Sequence, residues 1–303
     1  MHDPEPPGTP DSPGSPGNLA QWACVTEVCA PKAGNVHPGA SFDDTTWIDF
    51  VVSSAVARPI LDRAPERGVG NTVLDAVMAT RDAVGKNTNL GLLLLLAPLC
   101  AASANAEIGE GVQQVLATLT PHDAEAVYEA IRLVRPGGLG SAPRGDVAQG
   151  PTAGLVEAMA SAADRDAVAR QYTNGFDDVL RVVAPRLDEI YREGTALDAA
   201  IVRAHLEQMA REPDSLIRRK CGEREAYESQ RGAATVLNAG WPDREEGCRR
   251  FADLDAWLRD RGNARNPGTS ADLVAGGLFA AFRRGKIMPP FRWACSVDPS
   301  SWT

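Results

Sequence analysis

GKNTNLGLLLLLAPLCA, Gly85 to Ala101, is the stretch on which the fold turns. A short polar segment, Lys86-Asn87-Thr88-Asn89, follows Gly85 and leads directly into an apolar run from Leu90 to Leu99. That run is only about half of the roughly 20 residues that a membrane span requires. It is predicted to be a buried core helix, entered through a polar, glycine-bearing loop.

On both sides of it the apolar residues recur at helical spacing. Helices are predicted from Leu19 to Ala30, from Trp47 toward Ile60, and from Thr72 to Val84, the last ending near Gly85. Further along they are predicted at Pro121–Val134, Gly154–Ala162, Asp164–Val183, Ala196–Arg211, Glu223–Asn238, Cys248–Arg261 and Ala271–Arg284. Alternating β-branched runs between turn signals are almost absent. The expected fold is therefore all-α, a single large multi-helix domain, since no Pro/Gly/Ser linker separates two patterned halves. Residues 1–18, rich in Pro and Gly without an apolar stretch, are expected to form a disordered tail. The domain is expected to span 19–288, with a C-terminal tail at 289–303 carrying Trp293 and Trp302.

Composition limits the partners. With 303 residues, 44% hydrophobic and 23% charged, the chain has the material for a large core. A net charge of −9 argues against broad binding to nucleic acid or anionic membrane, which are held by clustered Lys and Arg. Cys24, Cys29, Cys100, Cys221, Cys248 and Cys295 form no CxxC pair, so reduced thiols in a cytoplasmic protein are expected. The N-terminus lacks the basic start and apolar core of a signal peptide.

The chemistry-bearing residues gather in loops. Helix N-termini present unpaired N–H groups and partial positive charge, so Gly85–Gly91 (with Asn87, Thr88 and Asn89) and Asn266–Asp272 (with Gly268 and Ser270) are candidate phosphate sites. Thr269 or Ser270 is expected to cap a helix opening at Ala271. Lys32, beside Gly34, and the cluster Arg218-Arg219-Lys220, placed in a loop entering a helix, offer positive charge to a triphosphate. Asp43, Asp44, Asp146, Asp177, Asp178 and Asp272 are candidates for magnesium binding or proton transfer. His37 is the histidine in a suggestive loop; His122 and His205 have less support. The Gly/Pro-rich segment Arg135–Asp146 is expected to do more than join helices.

Taken in order, EVCAPKAGNVHPG with FDD (Glu27–Asp44), GKNTNLG (Gly85–Gly91) and NPGTSADLVA (Asn266–Ala275) resemble three signatures of the triphosphoribosyl-dephospho-CoA synthase family. The resemblance runs from about Ala20 to Phe282. It implies an all-helical transferase that moves the triphosphoribosyl group of ATP to dephospho-CoA or a related acceptor, with release of adenine and with magnesium expected as cofactor. Two departures stand out. Leu90 occupies the place where these enzymes usually carry a lysine, and Arg144-Gly145-Asp146-Val147 replaces an Arg-Gly-Glu-Ala segment. With GGLG (137–140), ARQYTNGFDDV (169–179) and SLIRRKCGERE (215–225), the chain is similar to a divergent branch found with one-carbon and methanopterin cofactor genes.

The roles that follow are expectations. Lys32, Gly34, Arg218, Arg219, Gly268 and Ser270 would hold phosphates; Asn87, Thr88 and Asn89 would hold ribose or base. Asp43, Asp44 and Asp272 would be catalytic, with Asp43 and Asp272 as metal ligands. The alternatives are a phosphoribosyl-type transferase of tetrahydromethanopterin or one-carbon cofactor synthesis, and a catalytically silent nucleotide-binding helical scaffold. A homo-oligomer is compatible with all three.

Overall fold

The computed structural model describes residues 14–134, 150–151 and 153–294. Most of the predicted N-terminal tail, the segment Arg135–Asp146 and Trp302 lie outside the described residues. The described chain is all-helical, with fifteen α-helices and no strand.

The first half comprises α1 (Pro16–Cys29), α2 (Trp47–Asp62), α3 (Ala64–Arg67), α4 (Val69–Val84), α5 (Leu90–Ala101), α6 (Ile108–Ala117) and α7 (Pro121–Val134). The second comprises α8 (Leu155–Ala160), α9 (Ala167–Asn174), α10 (Ala184–Arg192), α11 (Leu197–Arg211), α12 (Ser215–Cys221), α13 (Glu223–Asn238), α14 (Glu245–Arg259) and α15 (Gly268–Arg283). Helix α1 begins inside the stretch assigned to the tail. Ser15 accepts the Asn18 amide and Pro16 supplies a preset first-turn φ, which together nucleate it there.

Two helices form the axis of the molecule. Helix α5 is buried from Leu92 through Cys100, as an unbroken apolar run must be when it does not cross a membrane. Helix α15 is buried on nearly all faces from Leu273 to Phe282. They pack against each other; α15 also touches α1, α10 and α11, and α5 touches α4, α6 and α9. Gly276 and Gly277 let α15 approach closely, since a β-carbon on Gly277 would sit 2.5 Å from Val183. Among the described residues, no helix is long and apolar enough to cross a membrane.

The single helix predicted over Asp164–Val183 is broken. Asp166 caps α9 by accepting the Val168 and Ala169 amides, and Gly175 ends it in the left-handed conformation. Phe176, also at positive φ (65°), is fully buried, and a π-helical turn (Asp178–Val183) carries the chain into α10. The break is held by Asp178, whose carboxylate accepts from Arg170, Gln171 and Asn174 and pairs with Arg211. These partners keep it below the usual carboxylate range despite its burial. Asp178 is therefore a structural carboxylate, and Asp177 is a half-buried partner of Arg181.

Candidate functional site

Both polar loops that precede the central helices are pinned by side chains. Asn87 accepts the Leu90 amide (3.1 Å) and so caps α5, leaving the first-turn amides of Gly91 and Leu92 without an acceptor among the described residues. Thr88 shares a hydroxyl–hydroxyl bond with Ser53 (2.7 Å), and Asn89 donates to Thr80 (3.3 Å). Helix α15 opens at Gly268, three residues before the predicted start. The reason is Asp214: its Oδ1 accepts the Leu216 and Ile217 amides of α12, and its Oδ2 accepts both the amide and the hydroxyl of Ser270 (2.8 Å each). One buried carboxylate thus caps two helices. Arg218, Arg219 and Lys220, expected in a loop, are consequently in the last turn of α12, where cations suit the helix dipole.

The N-termini of α5 and α15 meet in a cavity of about 440 Å³, a size suited to a nucleotide-sized ligand. Asp272 stands at the junction: an ideal β-carbon on Gly91 would lie 2.2 Å from its Oδ2, so glycine is required for the carboxylate to rest on α5. Asp272 has no hydrogen bond or ion pair among the described residues. Burial, then the negative charges of Glu27, Asp214 and Asp166, hold it well above the usual carboxylate range, with Arg219 opposing.

Two other carboxylates line the same cavity, each neutralised. Glu27 pairs with Lys32 (3.0 Å), which also donates to the backbone oxygens of Glu27 and Ala30. Burial still raises the Glu27 pKa, with Lys32 opposing. Asp166 pairs with Arg219 (2.5 Å). Positive charge enters the wall through Arg165, Arg219 and Lys220. The Lys220 ammonium donates to the Asn263 carbonyl (3.2 Å), and burial lowers its pKa. Arg165 is exposed, and its guanidinium has no hydrogen bond or ion pair among the described residues. Opposite lies an apolar wall that includes Val127, Ile131, Leu155, Met159 and Val168 from α7, α8 and α9.

The structure therefore gathers Asn87, Thr88, Asn89, Arg219, Gly268 and Asp272 of the predicted residues around one cavity. It leaves six outside. Lys32 is 1% exposed and acts on Glu27. Gly34, at positive φ, donates its amide to Asp255 (2.7 Å) and packs on Leu258, a tight turn against α14. Asp43 and Asp44 are exposed on a turn whose neighbours Phe42 and Thr45 reach the cavity. Arg218 points to Glu223 and the Asp164 carbonyl. Ser270 is the sixth, buried and consumed by Asp214. Among histidines, His37 accepts the Gly39 amide and is lowered to about 4, chiefly by burial, while His205 is buried and lowered to about 3. His122 is exposed beside Glu125.

Sequence reasoning missed Glu27, Arg165, Asp166, Asn35 and Asn266 as cavity residues. Glu27, Asn35 and Asn266 stand inside the quoted signatures, so the spacing was visible while the direction of each side chain was not. Asp164-Arg165-Asp166 was hidden by being read as the first turn of a helix that in fact opens at Ala167.

The family model described as CitG, ATP:dephospho-CoA triphosphoribosyl transferase, matches residues 13–288. The chain belongs to this family. The triphosphoribosyl transferase fold is also seen in the crystal structure of an Archaeoglobus fulgidus protein described as a triphosphoribosyl-dephospho-CoA synthase. That protein is similar at 26% identity and a TM-score of 0.60, over 77% of this chain and 98% of its own. Comparison with curated proteins gives no match. The chain is accordingly a transferase that uses ATP, moving its triphosphoribosyl group to dephospho-CoA or a related acceptor with adenine as the leaving group.

Proposed function

We propose that the cavity between the starts of α5 and α15 is the transfer site and that Asp272 is its base. The observation that carries this is the unpartnered Asp272 carboxylate resting on Gly91, at the point where two helix N-termini, three cations and an apolar wall converge. Arg219, Lys220 and Arg165, with the free amides of Gly91 and Leu92, grip the triphosphate. Asn87, Thr88 and Asn89 hold the ribose.

In the reaction the C1′–N9 bond of ATP breaks and its electron pair leaves with adenine, which takes up a proton from solvent. The carbocation-like ribose is stabilised by the carboxylates of Asp272 and Glu27. The acceptor hydroxyl gives its proton to Asp272 while its oxygen bonds to C1′.

Among the described residues no three His, Cys, Asp or Glu side chains converge as a metal cage. A magnesium ion arriving on the triphosphate needs only one or two carboxylates, and Asp272, the unpaired carboxylate of the wall, fits that need, whereas Glu27 is taken by Lys32 and Asp43 is outside the cavity. Such an ion would neutralise phosphate charge.

The acceptor reading follows Leu90. Leu90 is part of the cavity wall, and an apolar residue there, where the family resemblance expects lysine, takes a cation from that wall. This favours an acceptor less phosphorylated than dephospho-CoA, such as a one-carbon or pterin cofactor precursor in the divergent branch. Among the described residues, the absence of a spanning helix and the five unpaired thiols are consistent with work in the cytoplasm.

The test is incubation with ATP, magnesium and either dephospho-CoA or a pterin precursor, with adenine and product mass followed. Adenine release that disappears in Asp272→Asn, with ATP binding retained, supports the reading. ATP binding with no adenine release on any acceptor identifies a silent scaffold instead.

A further inference from the structure

Asn35 is 7% exposed and lies in the cavity wall, yet its Oδ1 is buried with no hydrogen-bond partner. Its Nδ2 donates to Oδ1 of Asn266 (2.7 Å). That bond orients both amides and leaves Nδ2 of Asn266, also on the wall, with no acceptor among the described residues. The backbone holds the pair from both sides, for the Arg259 guanidinium donates to the Asn35 carbonyl and the Gly268 amide to the Asn266 carbonyl (2.8 Å). A buried acceptor without a donor is costly, so its retention beside a cavity calls for a ligand that supplies the donor.

We infer that Asn35 and Asn266 together read the amino edge of the adenine in ATP. One free carbonyl beside one free amide N–H is the complement of an exocyclic amine beside a ring nitrogen, the same pairing by which single asparagine side chains recognise adenine in nucleic acids. Oδ1 of Asn35 accepts from the 6-amino group, and Nδ2 of Asn266 donates to the adjacent ring nitrogen. Exchanging the labels of both amides keeps one free acceptor beside free donors but swaps which residue supplies which, so a variant is made at each position. A 6-oxo purine presents an acceptor where Asn35 also presents one, and is rejected. Donation to a ring nitrogen also stabilises the electron pair that adenine carries away, which makes the pair a specificity and leaving-group element of the reaction.

This rests on ATP occupying the cavity, and the experiment separates the two. Binding of ATP, inosine triphosphate and inorganic tripolyphosphate is measured by calorimetry, and adenine release is followed in parallel. The wild-type chain is expected to bind ATP roughly 10- to 100-fold more tightly than inosine triphosphate. In Asn266→Asp, which keeps the acceptor for Asn35 and loses the donor, that ratio is expected to fall toward one, the added charge weakening ATP, inosine triphosphate and tripolyphosphate alike. Asn35→Ser, small enough for the turn and checked by thermal melting, is the second variant. Equal binding of both nucleotides by the wild type, or a ratio that survives in both variants, overturns the base reader even if adenine is released. Selective ATP binding without adenine release instead overturns the transfer reading and leaves the base reader standing.

Discussion

Oδ2 of Asp272 lies 2.2 Å from the place a β-carbon on Gly91 would take. The two central helices therefore touch, at the cavity, through a carboxylate and a hydrogen, and any side chain at position 91 must displace the proposed base.

Gly91→Ala tests that contact. Alanine is a better helix former than glycine, by roughly 0.5–1 kcal/mol, so stability is not expected to suffer from the helix itself. The carboxylate must move by more than an ångström, and displacements of that size cost about 100-fold in rate. Steady-state assays should show kcat/KM down by about two orders of magnitude with a near-native melting temperature. Wild-type activity in a folded Gly91→Ala chain would remove Asp272 from the reaction.

Asp272→Asn should make the protein more stable and less active. The carboxyl group is held above its usual range by burial and by Glu27, Asp214 and Asp166. The folded state therefore binds the proton more tightly than the unfolded one, and stability from this group is present at low pH and lost as pH rises from the unfolded toward the folded pKa. Asparagine does not ionise. The gain in melting temperature of Asp272→Asn over wild type should thus be small near pH 4 and grow toward neutrality. A constant difference across that interval would mean the group does not titrate as described.

Arg218 and Arg219 are neighbours with different surroundings. Arg219 lines the cavity beside Asp166, while Arg218 reaches Glu223 and a backbone carbonyl outside it. Arg219→Ala should raise the KM for ATP about 10- to 100-fold, the effect of losing a charge-assisted contact worth about 1.5–3 kcal/mol. Arg218→Ala should leave it within about twofold. Equal effects in isothermal titrations with ATP would mean that both arginines, or neither, meet the phosphates.

That contrast marks what was legible in the sequence. The fold was, because an apolar run of helical length and repeated 3.6-residue spacing constrain buried faces directly: α5, α7 and α13 lie where predicted. The short helices α3, α6 and α12 were not, since pieces of that kind are held by tertiary partners rather than by their own pattern, as Asp214 holds α12. Motif order located the cavity through Asn87, Thr88, Asn89, Gly268 and Asp272. It did not tell cavity residues from their supports. Lys32 sits among signature residues but points inward to Glu27, and Arg218 differs from Arg219 by 100° of helix rotation, which charge alone does not reveal.

Ser270 was expected to grip phosphate, and its amide and hydroxyl are both bound to Oδ2 of Asp214. Ser270→Ala should therefore cost about 1 kcal/mol of stability, the net worth of one buried hydrogen bond, and leave ATP affinity within about twofold. Asp214→Ala removes the acceptor for Leu216, Ile217 and Ser270 together. With caps worth about 1 kcal/mol each and buried donors left without partners, it should cost roughly 3 kcal/mol or more in urea unfolding. Because α12 carries Arg219 and α15 carries Asp272, the loosened caps should also weaken ATP binding in Asp214→Ala alone. If Ser270→Ala instead lost ATP affinity at unchanged stability, the serine would have to leave Asp214 when nucleotide binds, and the phosphate role would return to it.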